Sequence, residues 1–234
     1  MVKQHLFNYL YKKNNYFQQL SGKNQAKFAR RCFRFMRSTT FVSSDEIELS
    51  NEMKVLTSSA FIQLTFGLRR YRLNWFQRIK IVHKPYRYKM NNVSFHGDTN
   101  PVTKQINMVW PVILKGFEIP DDALNLSIHE LAHVIVLENS KSFFFYSYFN
   151  QRKWSRWKKS ARKEMEHLKS GRNSFFRSYG SRNLMEFFAV STEAFFEQSA
   201  AYSIKYPKLF EAHCLLLNQD PRNFNAPRLK KRLI

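Results

Sequence analysis

The run His129-Glu130-Leu131-Ala132-His133 restricts the folding of this chain more than any other feature. Its two histidines are four residues apart, so on an α-helix both imidazoles project from one face. Glu130 follows His129 directly and is turned away by roughly a third of a turn. It would stand beside an ion held by the histidines, where it can take a proton from water. The pattern H-E-x-x-H on a helix is that of a hydrolytic zinc site. Apolar Leu124, Ile128, Leu131, Ala132 and Ile135 predict a largely buried helix over residues 121–138, opened by Pro120-Asp121-Asp122, whose carboxylates suit a helix start. Imidazoles and a carboxylate inside such a helix are costly unless something satisfies them. A metal would; two hydrogen-bonded core histidines are the alternative.

A catalytic zinc site takes a third protein ligand and keeps one position open. The position six residues after His133 is Asn139, and the stretch from Asn139 to Lys163 has no acidic residue. Glu138 points to another side of the helix. The candidates are Glu164, Glu166, His167, Glu186, Glu193 and Glu197. Glu164, Glu166 and His167 lie in a strongly charged, solvated segment. Glu186 sits in Leu184-Met185-Glu186-Phe187-Phe188-Ala189-Val190, where a carboxylate is paired, protonated or metal-bound. The pairing alternative is an arginine such as Arg182. Glu193 lies two turns further along the same face and could orient an imidazole.

Hydrophobic periodicity organises the rest. Residues 1–20 read as an irregular or partly helical arm, and residues 21–222 as one domain, followed by a basic tail over 223–234. An amphipathic helix is expected over 24–37. A second runs from Ser50 to Phe66 with a stripe of Met53, Leu56, Ala60 and Leu64, ended by Gly67. Strands are expected at Arg78–His83, Asn92–His96 and Gln105–Trp110, the last two separated by a turn at Gly97-Asp98-Thr99-Asn100-Pro101. His83 and His96 belong to strand surfaces. A basic helix over 151–170, a ligand-bearing helix over 182–203 and a closing helix from Pro207 to Asn218 follow. Helices before and after a small mixed sheet imply an α+β, mostly helical fold.

The chain has 234 residues, enough for one good core, with 39 Lys+Arg against 17 Asp+Glu and a net charge of +22. Between Gln151 and Arg172 there are nine basic residues against Glu164 and Glu166, with Trp154 and Trp157 interleaved. An anionic partner docking on 151–172, nucleic acid or membrane, is one reading; a solubilising surface is the other. Cys32 and Cys214 do not make a disulfide scaffold. No signal-peptide core and no apolar run of spanning length is present, and Phe143–Phe149 is too short to cross a bilayer, which points to the cytoplasm.

Beyond the motif helix, the chain resembles the Mlc titration factor A family of zinc peptidases, gluzincins related in their catalytic half to anthrax lethal factor. The resemblance rests on His129-Glu130-Leu131-Ala132-His133, on Tyr179-Gly180-Ser181-Arg182-Asn183-Leu184-Met185-Glu186-Phe187-Phe188-Ala189-Val190, and on Glu193-Ala194-Phe195-Phe196, Pro207-Lys208-Leu209-Phe210 and Gln219-Asp220-Pro221. It implies a zincin-like fold and one Zn²⁺ held by His129, His133 and Glu186. Glu130 would be the general base acting on a peptide or protein substrate, and Tyr179 would stabilise the oxyanion, with Arg182 a weaker donor. By the same analogy, the strand Gln105–Trp110 would hold the substrate backbone by strand addition, and a transcriptional regulator is a further partner. The chain departs from the family pattern at Val136, Asn139 and Ser140.

Overall fold

The computed structural model describes residues 2–44, 46–88, 93–141, 147–172 and 175–223. Ten α-helices and one four-stranded sheet are found among them. The first residues form α1 (Val2–Lys13) and α2 (Asn15–Gln19), and they put Leu6, Leu10, Tyr16, Phe17 and Leu20 into the core. Helix α3 (Gly22–Ser38) is amphipathic as its spacing predicts, burying Phe28, Cys32 and Phe35. Helix α4 (Asn51–Thr65), capped by the Ser50 side chain accepting from Met53 N–H, is buried all round rather than along one stripe. Two of its buried hydroxyls bond back to the helix, Ser59 donating to Leu56 O at 2.7 Å and Thr65 to Phe61 O at 2.7 Å, whereas those of Thr57 and Ser58 are buried without a hydrogen-bond partner. After α4 the chain passes under the last turn of the closing helix. A Cβ on Gly67 would sit 2.2 Å from the carbonyl oxygen of Asn218, which is why glycine stands there.

The sheet contains β1 (Thr40–Ser43), β2 (Arg78–Val82), β3 (Gly97–Asn100) and β4 (Gln105–Val109) in the order β1-β2-β4-β3. The β1–β2 and β2–β4 pairs are parallel and β3–β4 is antiparallel. Ile79, Ile81, Ile106 and Met108 are buried. Three expectations are corrected here. Gly97–Asn100, read as a turn, is a strand. Of the run 92–96, Phe95 makes only an isolated bridge to Tyr86, and Asn92 lies outside the described residues. The strand 105–110 is interior, so β3, not β4, is the edge nearest the motif helix. The turn falls instead at residues 101–104, where Asn100 Oδ1 accepts from the N–H groups of Val102 and Thr103 and Lys104 takes φ 53°.

From β4 the chain turns directly into α5 (Trp110–Glu118), with Pro111 in its first turn. Helices α6 (Leu126–Lys141), α7 (Gln151–Lys169), α8 (Leu184–Glu197), α9 (Ser199–Lys205) and α10 (Pro207–Leu217) complete the fold. The helix expected over 182–203 is broken at Gln198, whose side chain donates to Asp121 O at 2.8 Å. Glu138, on α6, accepts from the backbone N–H groups of Asn74, Trp75 and Phe76 and so pins the connection into β2. Trp157 is fully buried and Trp154 stacks on it at 5.1 Å, so these rings are core rather than a stacking platform for bases. Phe143 to Tyr146 and the tail from Phe224 lie outside the described residues. Among the described residues, no helix is long and apolar enough to cross a membrane.

Candidate metal centre

Helix α6 begins later than its acidic prelude suggests. Pro120–Ala123 forms a turn in which Ala123 takes φ 56° and Asp122 accepts from Leu124 N–H. The cap is Asn125, whose Oδ1 accepts from Ile128 N–H at 3.2 Å. One turn on, His129 and His133 stand perpendicular, 4.7 Å between ring centres. Helix α8 is capped the same way: Asn183 Oδ1 accepts from the N–H groups of Met185 and Glu186, fixing Glu186 in the first turn. Its Oε2 lies 3.2 Å from His129 Nε2 and 3.2 Å from His133 Nε2.

These three side chains each offer one donor atom, all within 4.8 Å of one another, and are the cluster of this kind among the described residues. Two imidazole nitrogens and a carboxylate oxygen are a donor set suited to zinc. The electrostatics also call for a cation. Burial would lower the pKa of His129, but Glu186 and Glu193 on its two nitrogens raise it to about 10. Burial would raise that of Glu186, but hydrogen bonds to both imidazoles hold it at about 2. The two carboxylates thus favour positive charge on His129, and the three converging donor atoms fit a metal ion.

Glu193 lies against the outer nitrogen of His129. It is 1% exposed, and its Oε1 lies 2.7 Å from His129 Nδ1. With Nδ1 carrying the proton, Nε2 presents its lone pair to the donor cluster. Glu193 also accepts from Asn125 N–H at 2.8 Å and from the Arg177 guanidinium. Glu130 is 5% exposed and accepts from Thr99 Oγ1 at 2.9 Å. Burial raises its pKa. Gly97 lets β3 press against it: a Cβ there would lie 2.9 Å from Glu130 Oε1 and 2.8 Å from Leu126 Cδ1. Tyr179 sits in a 3₁₀ turn (Ser178–Ser181), 39% exposed, its ring centre 6.1 Å from that of His129. Burial and the Glu186 charge raise its pKa, so the phenol keeps its proton. Arg182 does not neutralise Glu186; its guanidinium lies 4.2 Å from the centre of the Tyr179 ring.

A cleft of about 820 Å³ runs past His129, Glu130 and Tyr179. The other candidates lie outside the cluster. Glu164 and His167 pair with each other on α7, and Glu166 bonds to Lys169. Glu197 bonds to Asn125 Nδ2 at 3.1 Å, and burial raises its pKa to about 8. His96 lines the cleft without joining the donors.

A family model described as the glucose-regulated metallo-peptidase M90 family matches residues 1–216. The chain belongs to that family. Relatives include Mlc titration factor A of Cronobacter sakazakii, 26% identical over 224 residues that cover 86% of this chain and 82% of the relative. Mlc titration factor A of Salmonella arizonae is 22% identical over 216 residues, covering 86% of each. Membership supports a metallopeptidase type of protein with a metal cofactor. Asn139, one of the departures from the pattern, holds the local chain in place. Its Oδ1 accepts from Phe149 N–H at 3.0 Å and from Ser147 Oγ, away from the donors. Arg177, Thr99, Asn125 and Gly97 belong to the site but escape a reading of the sequence. Only Asn125 carries a sequence signal, as a capping residue three before Ile128; the others act through tertiary contacts.

Proposed function

We propose that this protein is a zinc peptidase, with His129, His133 and Glu186 as the metal ligands. The observation that carries the reading is the meeting of His129 Nε2, His133 Nε2 and Glu186 Oε2 beside a buried Glu130 in an open cleft. Zinc bound there supplies Lewis acidity towards water and the scissile carbonyl. Glu130, its carboxylate located by Thr99, takes the proton from the attacking water and returns it to the leaving amine. Tyr179 donates its O–H to the developing oxyanion. Glu193 keeps His129 in the Nδ1–H form. The free side of β3 offers backbone groups to an extended peptide, in the manner of strand addition. The test is Glu130→Gln: the variant is expected to retain about one zinc per chain and lose peptide cleavage by ~100-fold or more. Full activity in that variant would refute the assignment.

A second reading comes from relatives named for titrating Mlc. Here the same fold would bind a regulator of that kind, with or without cleaving it. Co-purification of such a regulator with Glu130→Gln as well as wild type supports it; no binding by either excludes it.

A further inference from the structure

The charge of the cleft wall is not balanced. Its carboxylates are Glu130 and Glu193, and both are committed, one to Thr99 and the proton transfers, the other to His129, Asn125 and Arg177. Lys115 and Arg182 also line it, and both are exposed. Neither makes an ion pair with a carboxylate among the described residues. Lys115 lies one turn beyond Val112 on α5, so the two share the face that lines the cleft. Arg182 is held over Tyr179. The wall also offers apolar surface: Leu124 and Val93 are 46% and 57% exposed. A cleft with two cations that have no carboxylate partner, one of them stacked on Tyr179, and exposed apolar side chains is complementary to a peptide that carries a carboxylate beside an apolar residue.

We infer that Lys115 and Arg182 form carboxylate-recognising positions in this cleft, and that the preferred substrates are peptides with a carboxylate close to the scissile bond. This rests on the peptidase reading, since it names the substrate of that site. The carboxylate has two sources, an acidic side chain or a free C-terminus. Arg182 acts in two ways, because its guanidinium also holds the Tyr179 ring. Lys115 is the cleaner probe, for it touches none of the proton-transfer groups.

The experiment measures binding of matched peptide pairs to zinc-loaded Glu130→Gln protein by calorimetry at about 0.15 M salt, where long-range attraction is screened. One pair differs by Glu to Gln beside a leucine, the other by a free or an amidated C-terminus. The carboxylate member of at least one pair should bind about three- to fivefold tighter, the upper part of the range of an exposed ion pair. Adding Lys115→Glu should abolish that preference and favour a lysine-bearing peptide. Adding Lys23→Glu, an equal charge change at an exposed position on α3, should leave it intact. Ratios within about twofold of one for both pairs, or equal effects of the two lysine changes, would overturn the inference. The second of these would assign the preference to the overall charge of +22. Turnover by wild type is read separately: no cleavage with the binding ratio intact refutes the peptidase and leaves the carboxylate positions standing.

Discussion

In the proposed centre the readiness of His129 depends on Glu193, and replacing that residue gives a quantitative test. Its Oε1 lies 2.7 Å from His129 Nδ1, and its other oxygen accepts from Asn125 N–H at 2.8 Å. Glu193→Gln preserves volume and removes the charge that holds the Nδ1 proton. Loss of such an outer partner weakens metal binding by about 10- to 100-fold, or roughly 1.4–2.7 kcal/mol. Glu193→Ala goes further, since Arg177 loses its counter-charge and Asn125 N–H its acceptor. Arg177 is 37% exposed, so water screens part of that cost. About 2–3 kcal/mol of additional destabilisation is expected, below the full cost of breaking a buried pair. That corresponds to a fall in Tm of roughly 5–10 °C for a chain of this size. Zinc affinity is measured by competition with a chromogenic chelator, and Tm by scanning the metal-free proteins. A Glu193→Gln protein whose zinc affinity stays within about twofold of wild type would refute the reasoning, whatever its Tm, and reduce Glu193 to a packing role.

Other consequences are equally open to measurement. Gly97→Ala would place a methyl 2.8–2.9 Å from Leu126 and Glu130, so the base must shift; overpacking of about 1–3 kcal/mol and at least ~10-fold loss in kcat/KM with zinc retained are expected. Wild-type activity there would show that β3 yields freely. Glu138→Ala strips the acceptor from three backbone N–H groups and should cost roughly 3–5 kcal/mol in urea unfolding; a loss under ~1 kcal/mol would contradict the anchoring role. His213 is fully buried and stacked on Phe195 at 4.5 Å, and burial lowers its pKa from 6.5 to about 3. The unfolded chain therefore binds the extra proton between about pH 3 and 6.5, so the stability due to neutral His213 is complete above 6.5 and declines as pH falls through that window. His213→Phe should flatten the fall of Tm between about pH 6.5 and 4 relative to wild type, and parallel profiles would exclude His213 as its source.

Those parts of the molecule whose shape follows from local spacing were legible in the sequence. The i, i+4 histidines lie on one helix, α3 and α7 follow their apolar stripes, and Asn218 ends α10 in the left-handed region near the expected boundary. What was misread is what tertiary contacts decide. Gly97-Asp98-Thr99-Asn100 has the composition of a turn, yet pairing with β4 and the bonds of Asp98 to Tyr86, Tyr88 and Asn107 make it a strand. Asp121 and Asp122 look like a helix start, but the orphan N–H groups are met one turn later by Asn125, itself held by Gly116 and Glu193. In the site, Glu186 and Glu193 could be singled out because buried carboxylates on an apolar helix demand a reason. Arg177 and Thr99 could not, since neither stands on the motif helix nor on α8, and only the folded chain brings them to Glu193 and Glu130.

Zinc stoichiometry of wild type beside Glu186→Ala, read by elemental analysis after dialysis against a defined free-zinc buffer, tests the three-ligand centre most directly. About one zinc per wild-type chain, and a loss of affinity of ~100-fold or more in the variant, are expected when one of three protein ligands is removed. A variant that keeps its zinc with unchanged affinity, or a wild type that binds none, would contradict it.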